Sequence, residues 1–245
     1  VPMDDDDELP PLYTRRAAWF HLLTAPADYV DEAAELVRII REAGSGPLAT
    51  LLELGAGGGN MASHYKRDVA ATLVDLSPSM LALSRTINPE CEHLVGDMRT
   101  LRLGRSFDAV LVHDAVMYMT SAEALRAVMR TALAHLRPGG VAVFAPDCTR
   151  ETFTPGTAHG GDDDGERGLR YLEWTFDPDP DDSTYTVDFA LLLRDGDEVV
   201  CEHERHTYGL FARGEWLDML EETGFKAQVR ETELGPLFVA VRPRG

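Results

Sequence analysis

The feature that most constrains this chain is a short apolar run, residues 49–54, that ends in a glycine turn of the form Glu-x-Gly-x-Gly-x-Gly. Its fixed positions are Glu53, Gly55, Gly57 and Gly59. Glycine takes turn conformations closed to other side chains and lets a ligand approach the backbone closely. An apolar strand that enters such a turn and leaves it as a helix belongs to α/β architectures. In these, ligands bind outside the carboxyl ends of the strands.

The rest of the first 146 residues keeps that alternation. Strands are expected near 71–75, near 107–112, at 141–145 and in a short run ending at Val95. Helices are expected near 59–66, 78–85 and 121–135, with Pro138, Gly139 and Gly140 punctuating the last junction. The repeated order predicts a mostly parallel sheet covered on both faces. Ahead of it, residues 1–11 read as an acidic arm. Helical character starts near Tyr13, breaks at Pro26, and resumes with Tyr29, Ala33, Leu36, Val37 and Ile40 at helical spacing.

After residue 146 the pattern changes. Residues 149–168, rich in Thr, Gly and Asp, read as a surface loop. Longer strand-like segments near 169–176, 184–193 and 198–208 are separated by Pro and Asp residues and by Asp195-Gly196, which suits antiparallel hairpins. A helix near 213–223 and strands near 226–232 and 237–241 return to the main sheet. The expected organisation is one domain over 1–245, with an arm and cap helices at 1–46 and a substrate-side antiparallel insertion at 149–210.

Charge narrows the partners. The 42 acidic residues outnumber the 23 basic ones, for a formal net charge of -19. A broad basic surface for nucleic acid is therefore not expected. No apolar run approaches the roughly 20 residues of a membrane helix, so no membrane partner is expected. Cys91, Cys148 and Cys201 form neither a disulfide framework nor a short metal-ligand spacing. The expectation is a cytoplasmic protein with no bound metal, with room left for a homodimer.

Two cofactor classes compete for the glycine turn. A dinucleotide fold usually carries its third glycine where this chain has Asn60, whereas Asp75, 20 residues after Gly55, suits ribose hydroxyls in either class. Four further motifs decide the comparison: residues 73–77 (Leu-Val-Asp-Leu-Ser), 96–98 (Gly-Asp-Met), 107–110 (Phe-Asp-Ala-Val) and 136–140 (Leu-Arg-Pro-Gly-Gly). With the glycine turn they make the chain resemble the class I methyltransferases that use S-adenosylmethionine. The overall order is most similar to N-methyltransferases of nucleotide-linked amino sugars. The resemblance implies a Rossmann-like α/β sheet with helices on both faces and an antiparallel β insertion. It implies S-adenosylmethionine as cofactor and S-adenosylhomocysteine as product.

What it implies for single residues follows. Gly55, Ala56 and Gly57 would lie beneath the methionyl part of the cofactor, and Glu53 would anchor its amine. Asp75 would bind the ribose, with Leu76 against the adenine. Asp97 would address the adenine amino group beside Met98. His113 and Asp114 would border the methyl-transfer site, and Tyr13 would contact the cofactor carboxylate. Such enzymes often carry a histidine where this chain has Tyr118.

The acceptor side rests on the segment after the fourth strand. His113 is a candidate proton acceptor, and Tyr118 a candidate for positioning the acceptor or moving its proton. Tyr13, Arg16, Asp114 and Tyr118 are candidate substrate contacts. In residues 201–207, strand alternation puts Cys201, His203, Arg205 and Thr207 on one face and Glu202, Glu204 and His206 on the other. The expected function is methyl transfer to a small-molecule acceptor, such as the amine of a nucleotide-linked amino sugar. A small-molecule O-methyltransferase and a noncatalytic nucleotide-binding protein are the alternatives.

Overall fold

The computed structural model describes residues 9–233 and 235–244. The acidic start of the N-terminal arm lies outside the described residues. Five parallel strands form the body of the main sheet: β1 (Thr50–Leu54), β2 (Ala70–Asp75), β3 (Glu92–Val95), β4 (Phe107–Val112) and β5 (Leu136–Phe144). A second, antiparallel sheet contains β6 (Gly156–Gly160), β7 (Asp163–Asp164), β8 (Arg167–Phe176), β9 (Thr184–Asp195) and β10 (Glu198–Gly209). The hairpin β11 (Lys226–Thr232) and β12 (Gly235–Val241) then adds to β5 in antiparallel sense. The main sheet runs β11-β12-β5-β4-β1-β2-β3. The Rossmann-like α/β class and the antiparallel sheet match the expectation.

Strand composition explains the layering. In β1, β2, β4 and β5 the residues on both faces are apolar, as in strands covered on two sides. Leu51, Leu73, Leu111 and Val143 pack toward α2 (Val30–Ala43) and α3 (Ala62–Tyr65). Leu52, Val74, Val110 and Phe144 pack toward α5 (Ala122–His135) and α6 (Arg213–Thr223). Side-chain caps start two helices. Ser77 accepts from the Met80 N–H at the head of α4 (Pro78–Ile87), and Ser121 accepts from the Ala124 N–H at the head of α5.

Three local expectations change. The helix expected over 59–66 shrinks to α3, because the glycine turn consumes its first residues. The segment near Tyr13 is mostly 3-10 turns, with only α1 (Phe20–Leu23) helical. Leu12 and Trp19 are drawn onto Leu169, Leu191 and Leu193 of the second sheet, and the backbone bonds of the segment follow that docking. Residues 149–168 are not wholly loop, since β6 and β7 pair along β8. These strands are exposed and lack apolar alternation, so only pairing to the β8 edge defines them. Among the described residues, no helix is long and apolar enough to cross a membrane.

Candidate active site

The chain runs outward from β1 to β2 and β3, then returns to β4 on the other side of β1. The carboxyl ends of β1 and β4 therefore diverge and leave a crevice, the usual ligand position of an open α/β sheet. A cavity of about 420 Å³ fills it, within the roughly 300–1,000 Å³ of ligand pockets. Its walls include Glu53 near the end of β1 with Gly55, Ala56 and Gly57 after it, Asp75 at the end of β2 with Leu76 after it, and Asp97 and Met98 after β3. They also include His113, Asp114 and Tyr118 after β4, and Tyr13 from the N-terminal segment.

Backbone bonds hold the turn beneath this cavity. The Gly55 and Ala56 N–H groups donate to the Val74 carbonyl at 2.8 and 2.9 Å. Gly55 has φ of 78°, and a side-chain carbon there would lie 2.3 Å from the Ala115 Cβ. At Gly59 the same carbon would lie 2.1 Å from Ser84 Oγ, so this glycine lets α4 pack against the turn. Asn60, where a dinucleotide fold usually has glycine, ties the turn to the N-terminal segment through a 3.0 Å bond to the Thr24 carbonyl.

Asp75 uses one oxygen for the Gly57 N–H and the other for the Ser77 N–H, both at 2.8 Å. Burial disfavours its charge and raises its pKa, while these backbone bonds oppose the rise. The carboxylate lines the cavity, and each of its oxygens can accept more than one hydrogen bond. Glu53 is buried and accepts from the Tyr65 hydroxyl. Burial raises its pKa to about 7, against the bond from Tyr65. Asp97 is paired with Arg99 at 2.7 Å, and Met98 lies over Gly55.

The far half of the cavity is acidic. Nε2 of His113 lies 2.8 Å from Glu32 of α2, and Nδ1 lies 3.1 Å from Asp114. Burial alone would lower the imidazole pKa. The Asp114 charge and the Glu32 hydrogen bond outweigh it and raise the pKa to about 9. These neighbours favour the imidazolium form, which has no lone pair to offer a proton. Asp147, after β5, lines the cavity with Asp114, and each carboxylate disfavours ionisation of the other. Enclosure by the cavity walls, then the Asp114 charge, push the Asp147 carboxyl up to about 8. Both side chains still meet cavity water, so the push grows when a ligand displaces it.

Tyr118 stands opposite. Its hydroxyl is 2.6 Å from Nδ1 of His206, 3.1 Å from the Tyr13 hydroxyl and 3.4 Å from that of Tyr208. Arg16 does not reach the cavity. It pairs with Glu202 of β10 at 2.7 Å and lies over the Trp19 ring. The acidic surroundings leave a strand-edge carboxylate as the nearest partner for this cation. Tyr29, Asp147 and Tyr208 also line the cavity and were not anticipated. Asp147 was findable, because it is an acidic residue just past the apolar end of β5, as Asp75 is at the end of β2. The inward alternation of Glu204 and His206 was visible, but nothing in the sequence aims it at Tyr118.

Comparison with known proteins agrees with this geometry. Residues 51–140 match the family model described as a methyltransferase domain. The chain is 31% identical over 193 residues to the dTDP-3-amino-3,6-dideoxy-alpha-D-glucopyranose N,N-dimethyltransferase of Streptomyces fradiae, covering 77% of this chain and 74% of the relative. It is 34% identical over 131 residues to the dTDP-3-amino-3,4,6-trideoxy-alpha-D-glucopyranose N,N-dimethyltransferase of Streptomyces venezuelae. That match spans only 53% of this chain and 55% of the relative. The crystal structure of Streptomyces venezuelae DesVI superposes with a TM-score of 0.84 at 25% identity, covering 96% of this chain and 99% of that one. An amino pentose methyltransferase from Micromonospora echinaspora, solved with S-adenosylmethionine bound, gives 0.77 at 26% identity, with coverage of 96% and 99%. With its glycine turn, its strand-end carboxylates and a relative matched along three quarters of its length, the chain belongs to the class I S-adenosylmethionine-dependent methyltransferases.

Proposed function

We propose that this enzyme methylates the amine of a nucleotide-linked amino sugar. The observation that carries the reading is that Asp114 and Asp147 line the same cavity as Tyr118. Carboxylates there favour an acceptor that arrives as an ammonium ion. The relatives' names and the similarity to them across the second sheet support the same acceptor class.

S-adenosylmethionine, when bound, supplies an electrophilic methyl on a sulfonium sulfur. The chain's residues then have separable roles. Asp75 offers its carboxylate to the ribose hydroxyls, beside Leu76. Asp97 and Met98 frame the adenine end, and Gly55, Ala56 and Gly57 give a floor without bulky side chains. Glu53, poised near 7, ionises when a cationic amine approaches. Tyr13 closes the near wall. Tyr118 and Asp114 hold the acceptor in line with the methyl group, and alignment of this kind supplies much of the acceleration in such a transfer.

The test is incubation with S-adenosylmethionine and a dTDP-linked amino sugar, followed by mass spectrometry. Gain of one or two methyl groups on nitrogen supports the reading. Methylation of a sugar hydroxyl alone would replace it with O-transfer, and binding without transfer would leave a nucleotide-binding protein.

Two further features belong to this reading. One face of the second sheet exposes Leu172, Trp174, Leu192 and Val199, each near half exposed or more, which favours a homodimer. Light scattering of the purified protein checks that mass. Cys91, Cys148 and Cys201 are free thiols, which suits a reducing cytoplasm.

A further inference from the structure

Glu204 and His206 point inward from β10 and are buried, at 4% and 3% exposure. Neither lines the cavity, whereas Tyr118, in contact with His206, does. Nε2 of His206 lies 3.3 Å from Oε2 of Glu204. The other carboxylate oxygen, Oε1, accepts from the Leu12 N–H at 2.8 Å. Oε2 has no hydrogen-bond partner. A buried carboxylate oxygen left in that state is costly unless a neighbour can become cationic. The His206 ring nitrogen lies within reach of it.

We propose that Tyr118, His206 and Glu204 form a proton relay that removes a proton from the acceptor. Tyr118 is the catalytic residue at the cavity wall, and His206 and Glu204 are positioning residues acting through it. The relay rests on the amine-methylating reading above. Tyr118 has one phenolic proton, which can point to Tyr13 at 3.1 Å or to His206 at 2.6 Å. It donates to Tyr13 at rest, and the relay uses its rotation to the nearer His206 Nδ1, with His206 carrying its own proton on Nε2.

An N–H bond of the acceptor ammonium breaks as an O–H bond forms on Tyr118. The original O–H bond of Tyr118 breaks as an N–H bond forms on His206 Nδ1. The electron pair left on the acceptor nitrogen becomes the nucleophile. His206 becomes an imidazolium facing Glu204, and it returns its proton to cavity water through Tyr118 after product leaves. Tyr118 never becomes a free phenolate, a state that burial strongly disfavours here. The imidazole beside the cavity, His113, is already protonated between Glu32 and Asp114 and cannot serve.

The titratable groups facing His206 are Glu204 and Tyr208 on its own strand, Tyr118 after β4 and Tyr13 from the N-terminal segment. Phe189 of β9 also faces the ring and brings no charge. Burial raises the pKa of all three tyrosines, so Glu204 supplies the only carboxylate among these groups.

The test measures kcat against pH between 6 and 9 for the wild type, His206→Gln and Glu204→Gln with a dTDP-linked amino sugar. General base catalysis is worth roughly 100-fold or more. His206→Gln should lose about that factor in kcat with an unchanged KM for S-adenosylmethionine. Its rate should climb with pH throughout, because solvent must then remove the proton. Adding Tyr118→His to His206→Gln puts an imidazole at the cavity wall and should restore part of the rate, which a merely structural histidine would not allow. Wild-type kcat and pH dependence in His206→Gln would overturn the relay. If that variant misfolds, nitrogen-15 NMR of the wild type decides: Nε2–H with a bare Nδ1 supports the relay, and Nδ1–H overturns it. Wild-type failure to methylate any amine would sink the substrate reading instead, and the tautomer would still judge the relay geometry.

Discussion

Replacing Asp75 with alanine separates what the carboxylate does for the fold from what it does for a ligand. Its two oxygens accept from the Gly57 and Ser77 N–H groups, both at 2.8 Å. The first bond pins the glycine turn, and the second fixes the entry to α4. Hydrogen bonds to a charged acceptor contribute about 1.5–3 kcal/mol each. The side chain is half-buried, and water can replace the carboxylate once the site opens. The lower end therefore applies, giving a loss of about 3 kcal/mol for Asp75→Ala. Asparagine keeps one acceptor oxygen and turns an amide NH₂ toward the other N–H, so about half that loss is expected. For a chain of this size these values lower Tm by roughly 6–12 °C and 3–6 °C. Urea unfolding gives the stabilities, and calorimetric titration with S-adenosylhomocysteine, run where the variant is folded, gives the affinity. An unchanged unfolding midpoint in Asp75→Ala would refute the argument from the two backbone bonds. Lost stability with unchanged affinity would remove Asp75 from the ribose site.

Other predictions follow from the same geometry. The raised pKa of His113 stabilises the fold fully below about 6.5, and that stability is lost as pH rises through about 9. The shift corresponds to about 3 kcal/mol. Asp147, raised to about 8, weakens the fold in the same direction as pH rises. Chemical denaturation between pH 6 and 10 should show this slope, with a shallower one in Glu32→Gln, and equal slopes would contradict it. Gly59→Ala drives a carbon to 2.1 Å from Ser84 Oγ at a φ of 77° and should cost at least about 2 kcal/mol, read as a lower Tm. Arg16→Ala removes a partly exposed pair with Glu202 and should change stability by less than about 1 kcal/mol. A large loss of acceptor binding in that variant would return Arg16 to the substrate.

The sequence by itself determined the architecture around the cofactor, because that information is local. Apolar runs at 49–54, 71–75 and 107–112, each followed by turn chemistry and helical spacing, specify strand-turn-helix units. Chirality and short connections leave few ways to assemble such units. Strand ends carry the residues that meet a ligand, so Gly55, Asp75, Asp97 and His113 could be named before any coordinates. Charge states and proton paths were completed only by tertiary structure. The His113 pKa rises through its sequence neighbour Asp114 and then through Glu32, which α2 brings to the ring from 81 residues away in the chain. Tyr118 gained its imidazole from β10, 88 residues away, through the packing of the second sheet on the main one. The β6 edge and the docking of Leu12 and Trp19 are likewise products of partners far along the chain. A side chain's own sequence neighbourhood sets its periodicity and caps, whereas its pKa and its hydrogen-bond partner depend on groups that only the folded chain brings within a few ångströms.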